Sequence, residues 1–251
     1  MKKFRSDFTL DSICLLLLLI SNVSCGQVKH RNTTSDAVEE FYQYRDPSSS
    51  DGTGKYYLGR DIAQVMGHRG ASWLERESRE EEERTDLLVR ALELQYDDVV
   101  ADIGAGTGYF SFKISPLVPG GKVLAVDIQE EMLDIIRSKM QEQHVSNIDP
   151  ILGSVKDPSL PKEKVDLVLM VDAYHEFSHP RETMQAIVSS LAPDGRVVLA
   201  EYKAEDPSIM IKPRHKMTED QAVKEMTAVG LYLIENKQLL PKQHLMFFGK
   251  Q

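Results

Sequence analysis

Residues Asp102 to Phe110 read DIGAGTGYF, with glycines at 104, 106 and 108 directly after an apolar run. A strand that ends in glycines and runs into a helix lets a ligand touch bare backbone, because no Cβ stands in the way. That suits recognition of a nucleotide-like cofactor. Dinucleotide folds space their glycines Gly-x-Gly-x-x-Gly, because a pyrophosphate needs the helix N-terminus. Here the spacing is Gly-x-Gly-x-Gly, which argues against that ligand. Further along, DAYHEFSHP (Asp172 to Pro180) follows another apolar run. His175 is suited to take a proton, with an ordinary pKa of about 6.5. Glu176 can orient it, and Tyr174 or Asp172 can hold a substrate. Local packing is the competing use of such a histidine, and both readings stand.

Those residues need a scaffold, and the apolar pattern supplies one. Runs at Asp98–Gly104, Lys122–Ile128, Val165–Tyr174 and Gly195–Tyr202 suit strands buried on both faces, as in parallel sheets. Helical stretches lie between them. Met132, Leu133, Ile136 and Met140 form one stripe, and Pro180 opens another helix at a favoured first position. Alternating strands and helices give an α/β fold with right-handed crossovers. Thr218 and Gln221 form a capping box, and Gly230 closes that helix. Two final apolar runs, LYLIENKQLL and HLMFFGK, predict an antiparallel close to the sheet.

Composition bounds the rest. The chain has 251 residues and a net charge of −9, without the basic excess of a general nucleic-acid binder. The only cysteines are Cys14 and Cys25, so no cysteine metal site or disulfide framework exists in the body. His175 and His179 are four apart, but Pro180 follows, and no metal site is expected. The start, MKKFRSDFTLDSICLLLLLISNVSCGQ, has a basic head, an apolar run and small residues. Residues 1–26 therefore read as a signal peptide or a membrane or lipoprotein anchor on Cys25, with Asp7, Asp11 and Asn22 against it. Residues 27–55 read as a polar linker with a short helix at Asp36–Tyr44, and 56–96 as a helical extension or lid. Within the extension, Glu80–Glu83 reads as a solvated helix face. Trp73 reads as a lid residue or, more simply, a core one. Lys212, Arg214, His215 and Lys216 form a basic loop, either attracting an acidic substrate or solvated. Glu201 and Tyr202 end a strand facing the same cleft.

Asp102 with Gly104, Gly106 and Gly108 resembles the first motif of class I S-adenosylmethionine (SAM) methyltransferases, of the broad type that includes quinone-biosynthesis enzymes. The resemblance implies a doubly wound, Rossmann-like seven-stranded sheet with an antiparallel last strand over residues 97–251. SAM is the implied cofactor and a small molecule, an acidic one among the options, the acceptor. Asp102 would face the positive end of SAM. Gly104, Ala105, Gly106 and Gly108 would form its backbone loop. Asp127, 19 residues after Gly108, would accept both ribose hydroxyls, with Ile128 beside it. Ser154 stands where many relatives carry an acid; Ser154 and Val155 would make backbone contacts and Asp157 would meet the adenine amino group. Asp172 completes the cofactor set. His175, Glu176 and Tyr174 are the implied catalytic residues. DAYH lacks the prolines of base-methylating relatives, so no nucleic acid is expected. A SAM-fold binding protein without turnover, exported or tethered to a membrane by its N-terminus, is the alternative; without a used signal the chain would be cytoplasmic. An NAD oxidoreductase is disfavoured by the glycine spacing.

Overall fold

The computed structural model describes residues 41–47 and 49–250. The expected signal or anchor, and most of the expected linker, lie outside them. The described part opens with a three-stranded antiparallel sheet: β1 (Tyr42–Tyr44), β2 (Gly52–Tyr57) and β3 (Arg60–Ala63). A linker end and a helix start were expected there. The hairpin forms because Leu58 and Gly59 both take positive φ between the paired Tyr57 and Arg60. That is the two-residue loop whose twist matches paired strands. Tyr42, Tyr57 and Ile62 form a small core beneath it.

Three short helices follow: α1 (Ala71–Leu74), α2 (Arg79–Glu83) and α3 (Thr85–Ala91). The chain breaks at Arg84, φ 53°, where Glu80 turns back to accept from the Asp86 amide and the Thr85 hydroxyl. Glu83, expected in solvent, is buried between Arg76, Arg79 and Tyr202.

The main sheet holds β4 (Val99–Ile103), β5 (Lys122–Asp127), β6 (Ile148–Leu152), β7 (Val165–Val171), β8 (Leu191–Tyr202), β9 (Leu231–Asn236) and β10 (Gln243–Lys250). Their order is β6-β5-β4-β7-β8-β10-β9. The first five are parallel, and β10 runs antiparallel to both neighbours. The doubly wound, seven-stranded sheet is therefore as the pattern implied. Alternation along β10 explains the continuous apolar runs. Leu245 and Phe247 enter one core, while Met246 and Phe248 enter the other. Helices α3, α4 (Tyr109–Ile114) and α5 (Glu130–Gln143) cover the first face through Leu88, Ile114, Leu133 and Ile136. Helices α6 (Pro180–Ser190) and α7 (Glu219–Thr227) cover the second through Met184, Ile187, Ala222 and Met226. Pro180 opens α6, and the Thr218 hydroxyl accepts from the Gln221 amide at the cap of α7.

The small sheet is tied to the main domain by charge. Arg60 makes two hydrogen bonds to Glu225 of α7, at 2.7 and 2.8 Å, and donates to the His175 carbonyl at 3.0 Å. Glu225 is fully buried and also accepts from the Tyr174 hydroxyl at 2.8 Å. Arg60→Met would strand the Glu225 charge in the interior, at a cost of about 3–5 kcal/mol. The double variant Arg60→Met, Glu225→Met should recover most of that loss. Urea unfolding of both variants checks this, and equal loss in the two would refute the account.

Candidate active site

A cavity of about 490 Å³ opens at the carboxyl ends of the central strands. It lies where β4 and β7 are neighbours but their following segments leave in opposite directions, the switch point at which such sheets bind ligands. The glycine loop, the end of β5 and the segment after β6 form one side. The turn after β7, the basic loop and the N-terminal segments form the other.

On the first side, Gly104 and Gly106 line the cavity with φ of 73° and 55°. A Cβ on Gly104 would meet that of Ala173 at 2.7 Å, so the bare backbone is required by space as well as by conformation. Asp127 is buried at the end of β5. Its Oδ2 accepts from the Gly106 amide and its Oδ1 from the Gln129 amide, both at 2.9 Å. Those bonds fix the carboxylate at the cavity wall, and burial raises its pKa despite them. Ile128, Ser154 and Val155 also line the cavity.

Several expected contacts are displaced. Asp102 sits beneath the loop, buried, accepting from the Ser111 hydroxyl at 2.6 Å, and does not line the cavity. Ala105 and Gly108 are likewise off the wall; Gly108, at φ 78°, caps α4. Asp157 spends its Oδ1 on the Ser159 amide and stays outside the lining, because a tight Ser154–Asp157 turn directs it away. Tyr174 is fully buried against Glu225 and does not reach the cavity, so the expected catalytic role does not fit its position.

The far side holds more than was expected. His175 lines the cavity, and its Nδ1–H donates to Glu201 Oε2 at 2.6 Å. Its Nε2 lies 3.0 Å from His215 Nδ1. Glu176 Oε1 is 3.4 Å from His215 Nδ1 and 3.9 Å from His175 Nε2, while Oε2 accepts from the Met66 amide. His215 Nε2–H donates to Asp51 Oδ1 at 3.1 Å. Its pKa is raised by the Glu176 carboxylate and, further down, by Asp51, against the effect of burial. Within the basic loop, Lys212 pairs with Asp51 at 3.0 Å and Arg214 with Asp61 at 2.5 Å. Asp51 sat in the presumed linker, and only the folded hairpin brings it here.

Between the two sides stands a charged wall. Asp172, at φ 49°, accepts at Oδ2 from the Gln243 amide at 2.8 Å, and its buried Oδ1 has no partner among the described residues. Burial holds its pKa well above the ordinary carboxylate range, with repulsion from Glu83 and Glu201 adding to it. Arg76 and Arg79 line the cavity beside Glu83, and the buried Arg76 Nε is also without a partner among the described residues. Trp73 is half exposed at the same wall, with the Arg76 guanidinium 4.0 Å over its ring, which favours the lid over the core reading. The cluster around Glu83 carried no local signal; it assembles across 119 residues, from Glu83 to Tyr202.

Asp102 gives a test of these environments. Burial raises its pKa from 3.8 to about 6. Below about pH 3.8 the group is protonated folded or unfolded. Between about pH 3.8 and 6 the unfolded chain has released the proton while the folded state still holds it, so stability falls across that window, and the loss is complete once the buried group ionises above about 6. Asp102→Asn keeps an acceptor for Ser111 and removes the titration. Its stability relative to the native chain should therefore improve between pH 4 and 7.5, by up to about 3 kcal/mol. Urea unfolding across that range measures it; a difference independent of pH would refute it.

A family described as "Methyltransferase domain" matches residues 100–195. The chain is 31% identical over 128 residues to the uncharacterized methyltransferase YcgJ of Bacillus subtilis (strain 168), covering 51% of this chain and 50% of that one. It is 30% identical over 115 residues to the ubiquinone/menaquinone biosynthesis C-methyltransferase UbiE of Pseudomonas entomophila (strain L48), covering 45% of each. The chain thus matches about half the length of these curated relatives. Its fold is similar to a crystal structure of a SAM dependent methyltransferase from Aquifex aeolicus, with a TM-score of 0.68 and 20% identity, covering 74% of this chain and 100% of that one.

Proposed function

We propose that this chain, which belongs to the class I SAM-dependent methyltransferases, transfers the methyl group of SAM to a small-molecule acceptor bound on the His175 side of the cavity. The observation that carries this reading is the buried Asp127 carboxylate, locked at the cavity wall by the Gly106 and Gln129 amides beside a loop that excludes side chains.

The residues present fit the cofactor. Asp127 would receive the ribose hydroxyls, and Gly104 and Gly106 would allow close approach of its body. Ile128, Ser154 and Val155 would flank the base. The unpartnered Arg76 Nε suits its carboxylate, and the unpartnered Asp172 Oδ1 suits its ammonium group. When bound, SAM supplies an electrophilic methyl group on a sulfonium. The protein's part is to orient the acceptor in line and to exclude water. Met66, Phe177 and Met210 supply apolar wall for that exclusion. Glu201 holds the His175 Nδ1–H, so Nε2, 3.0 Å from His215 Nδ1, keeps an electron pair that can take a hydroxyl proton directly or through His215. Lys212, at the wall, favours an acceptor that carries negative charge. The layout of residues 1–26 supports export or tethering to a membrane.

Calorimetric titration of the full chain with SAM and, separately, with NAD tests the reading. SAM should bind and NAD should not. Asp127→Ala should weaken SAM about 10- to 100-fold, the worth of charged hydrogen bonds, while circular dichroism stays native. A folded chain that ignores SAM, or a folded variant with unchanged affinity, would defeat it. SAM should also bind more tightly as pH rises. Its positive charge beside Asp172 lowers a pKa that burial had raised, so binding releases protons. Titration in buffers of different ionisation enthalpy reads that release, and Asp172→Asn should reduce it.

A further inference from the structure

The three groups His175 Nε2, His215 Nδ1 and Glu176 Oε1 converge on one point of the cavity wall. All their ligand atoms lie within 4.8 Å of one another. What distinguishes this cluster from a chance meeting of polar side chains is the treatment of the far nitrogens. With its N–H directed to Glu201, His175 presents a bare electron pair at Nε2. With its N–H directed to Asp51, His215 presents one at Nδ1. Held 3.0 Å apart beside the Glu176 carboxylate, the two nitrogens call for a cation between them, either a shared proton or a metal ion. Carboxylates on the far nitrogens are how proteins fix the tautomer and aim of metal-binding histidines. Glu176 is held in the same way: the Met66 amide occupies Oε2 and leaves Oε1 facing the histidines.

The spacing suits an ion. At metal–ligand lengths of about 2.1 Å, neighbouring ligand atoms stand about 3.0 Å apart in an octahedron and about 3.4 Å in a tetrahedron. The two edges that meet at His215 measure 3.0 and 3.4 Å. The third, 3.9 Å from His175 to Glu176, is the one that would shorten on binding. Two imidazoles and one carboxylate on a single face suit a first-row transition ion and leave its remaining positions open. Magnesium and calcium prefer all-oxygen sets.

We propose that His175, Glu176 and His215 form a site for a divalent transition metal ion that opens into the cavity and takes an anionic oxygen of the acceptor as a further ligand. The acceptor's part rests on the methyltransferase reading; metal binding does not. With the ion in place, the His175 electron pair is a ligand rather than a base, and the acceptor oxygen meets the metal. Glu201 and Asp51 are positioning residues, acting through the imidazoles they hold. The sequence hid this site because its three ligands span 40 residues and the carboxylates behind them come from residues 51 and 201.

The test uses the full chain stripped of metal by a chelator, then titrated with cobalt(II) near neutral pH. Visible absorption and calorimetry follow the binding, and zinc(II) serves as a competitor. The expected result is saturation at one equivalent, with a cobalt spectrum that zinc abolishes. His215→Ala and Glu176→Gln should each weaken cobalt binding by about tenfold or more. Both residues sit at the cavity wall rather than in the core, and thermal unfolding by circular dichroism verifies that each variant is folded. Absence of saturable binding of either metal below millimolar concentration would overturn the proposal, leaving a proton shared between the rings. Equal affinity in the folded variants would overturn it too. A SAM titration of the same stripped sample separates the two readings. SAM binding without cobalt binding sinks the metal site alone, and cobalt binding without SAM binding sinks the cofactor assignment alone.

Discussion

The bidentate pair between Arg60 and Glu225 fixes the far half of the cavity. A buried carboxylate without a partner is expensive, and Glu225 has no exposure at all. Arg60 can reach it only if the Leu58–Gly59 turn has folded and placed β3 against α7. The same guanidinium then holds the His175 carbonyl, and Tyr174 adds its hydroxyl to the same carboxylate. One charge pair therefore ties the N-terminal hairpin, α7 and the turn after β7 into a single arrangement. Arg214 with Asp61, and Tyr42 with Glu182, extend that seam on either side.

The two halves of the cavity are built by different means. The glycine-loop half follows from local sequence on parallel strands. Residues at the end of β4 and of β5 are brought level by the pairing of Asp102 with Ala125, so the glycine loop and Asp127 must meet. The His175 half follows from long-range polar pairs. His175 meets Glu201 across 26 residues, His215 across 40, and His215 meets Asp51 across 164. Changes in the N-terminal hairpin therefore reach the His175 half first.

That division explains what could be read in the residues. Strands buried on both faces write themselves as unbroken apolar runs, so β4, β5, β7 and β8 were plain. Strand β6, IDPIL, was not, because Asp149 and Pro150 look like a turn. At the edge of the sheet a proline costs no ladder bond that matters, which is why it is tolerated there. The hairpin at 52–63 is short, rich in polar residues and buries only a few aromatics, so its first residues read as the end of a linker and the rest as the start of a helical extension. Glu83 looked like surface because its partners Arg76, Arg79 and Tyr202 are declared only by the fold. Asp102 was legible as a motif residue but not as a buried one. The strand pattern does not say which way the penultimate residue of β4 faces, and Ser111 of α4 claims the carboxylate.

The cavity wall carries more carboxylate than its own cations balance. Glu83 has Arg76 and Arg79, and Glu201 has the His175 N–H, whereas Asp172 accepts a hydrogen bond from the neutral amide of Gln243 and feels Arg79 only through space. Burial, with repulsion from Glu83 and Glu201 added to it, leaves Asp172 holding its proton well above the ordinary range. Such a wall is costly by itself and becomes favourable when a positive ligand supplies the missing charge. A cofactor with a sulfonium and an ammonium group does so beside the glycine loop. On the other side of Glu201, two imidazoles and Glu176 present electron pairs where a metal ion fits. Glu201 stands between the two, raising the Asp172 proton affinity on one side and aiming the His175 ring on the other. A change at Glu201 should consequently be felt at both ends of the cavity, although its side chain is wholly buried behind the wall.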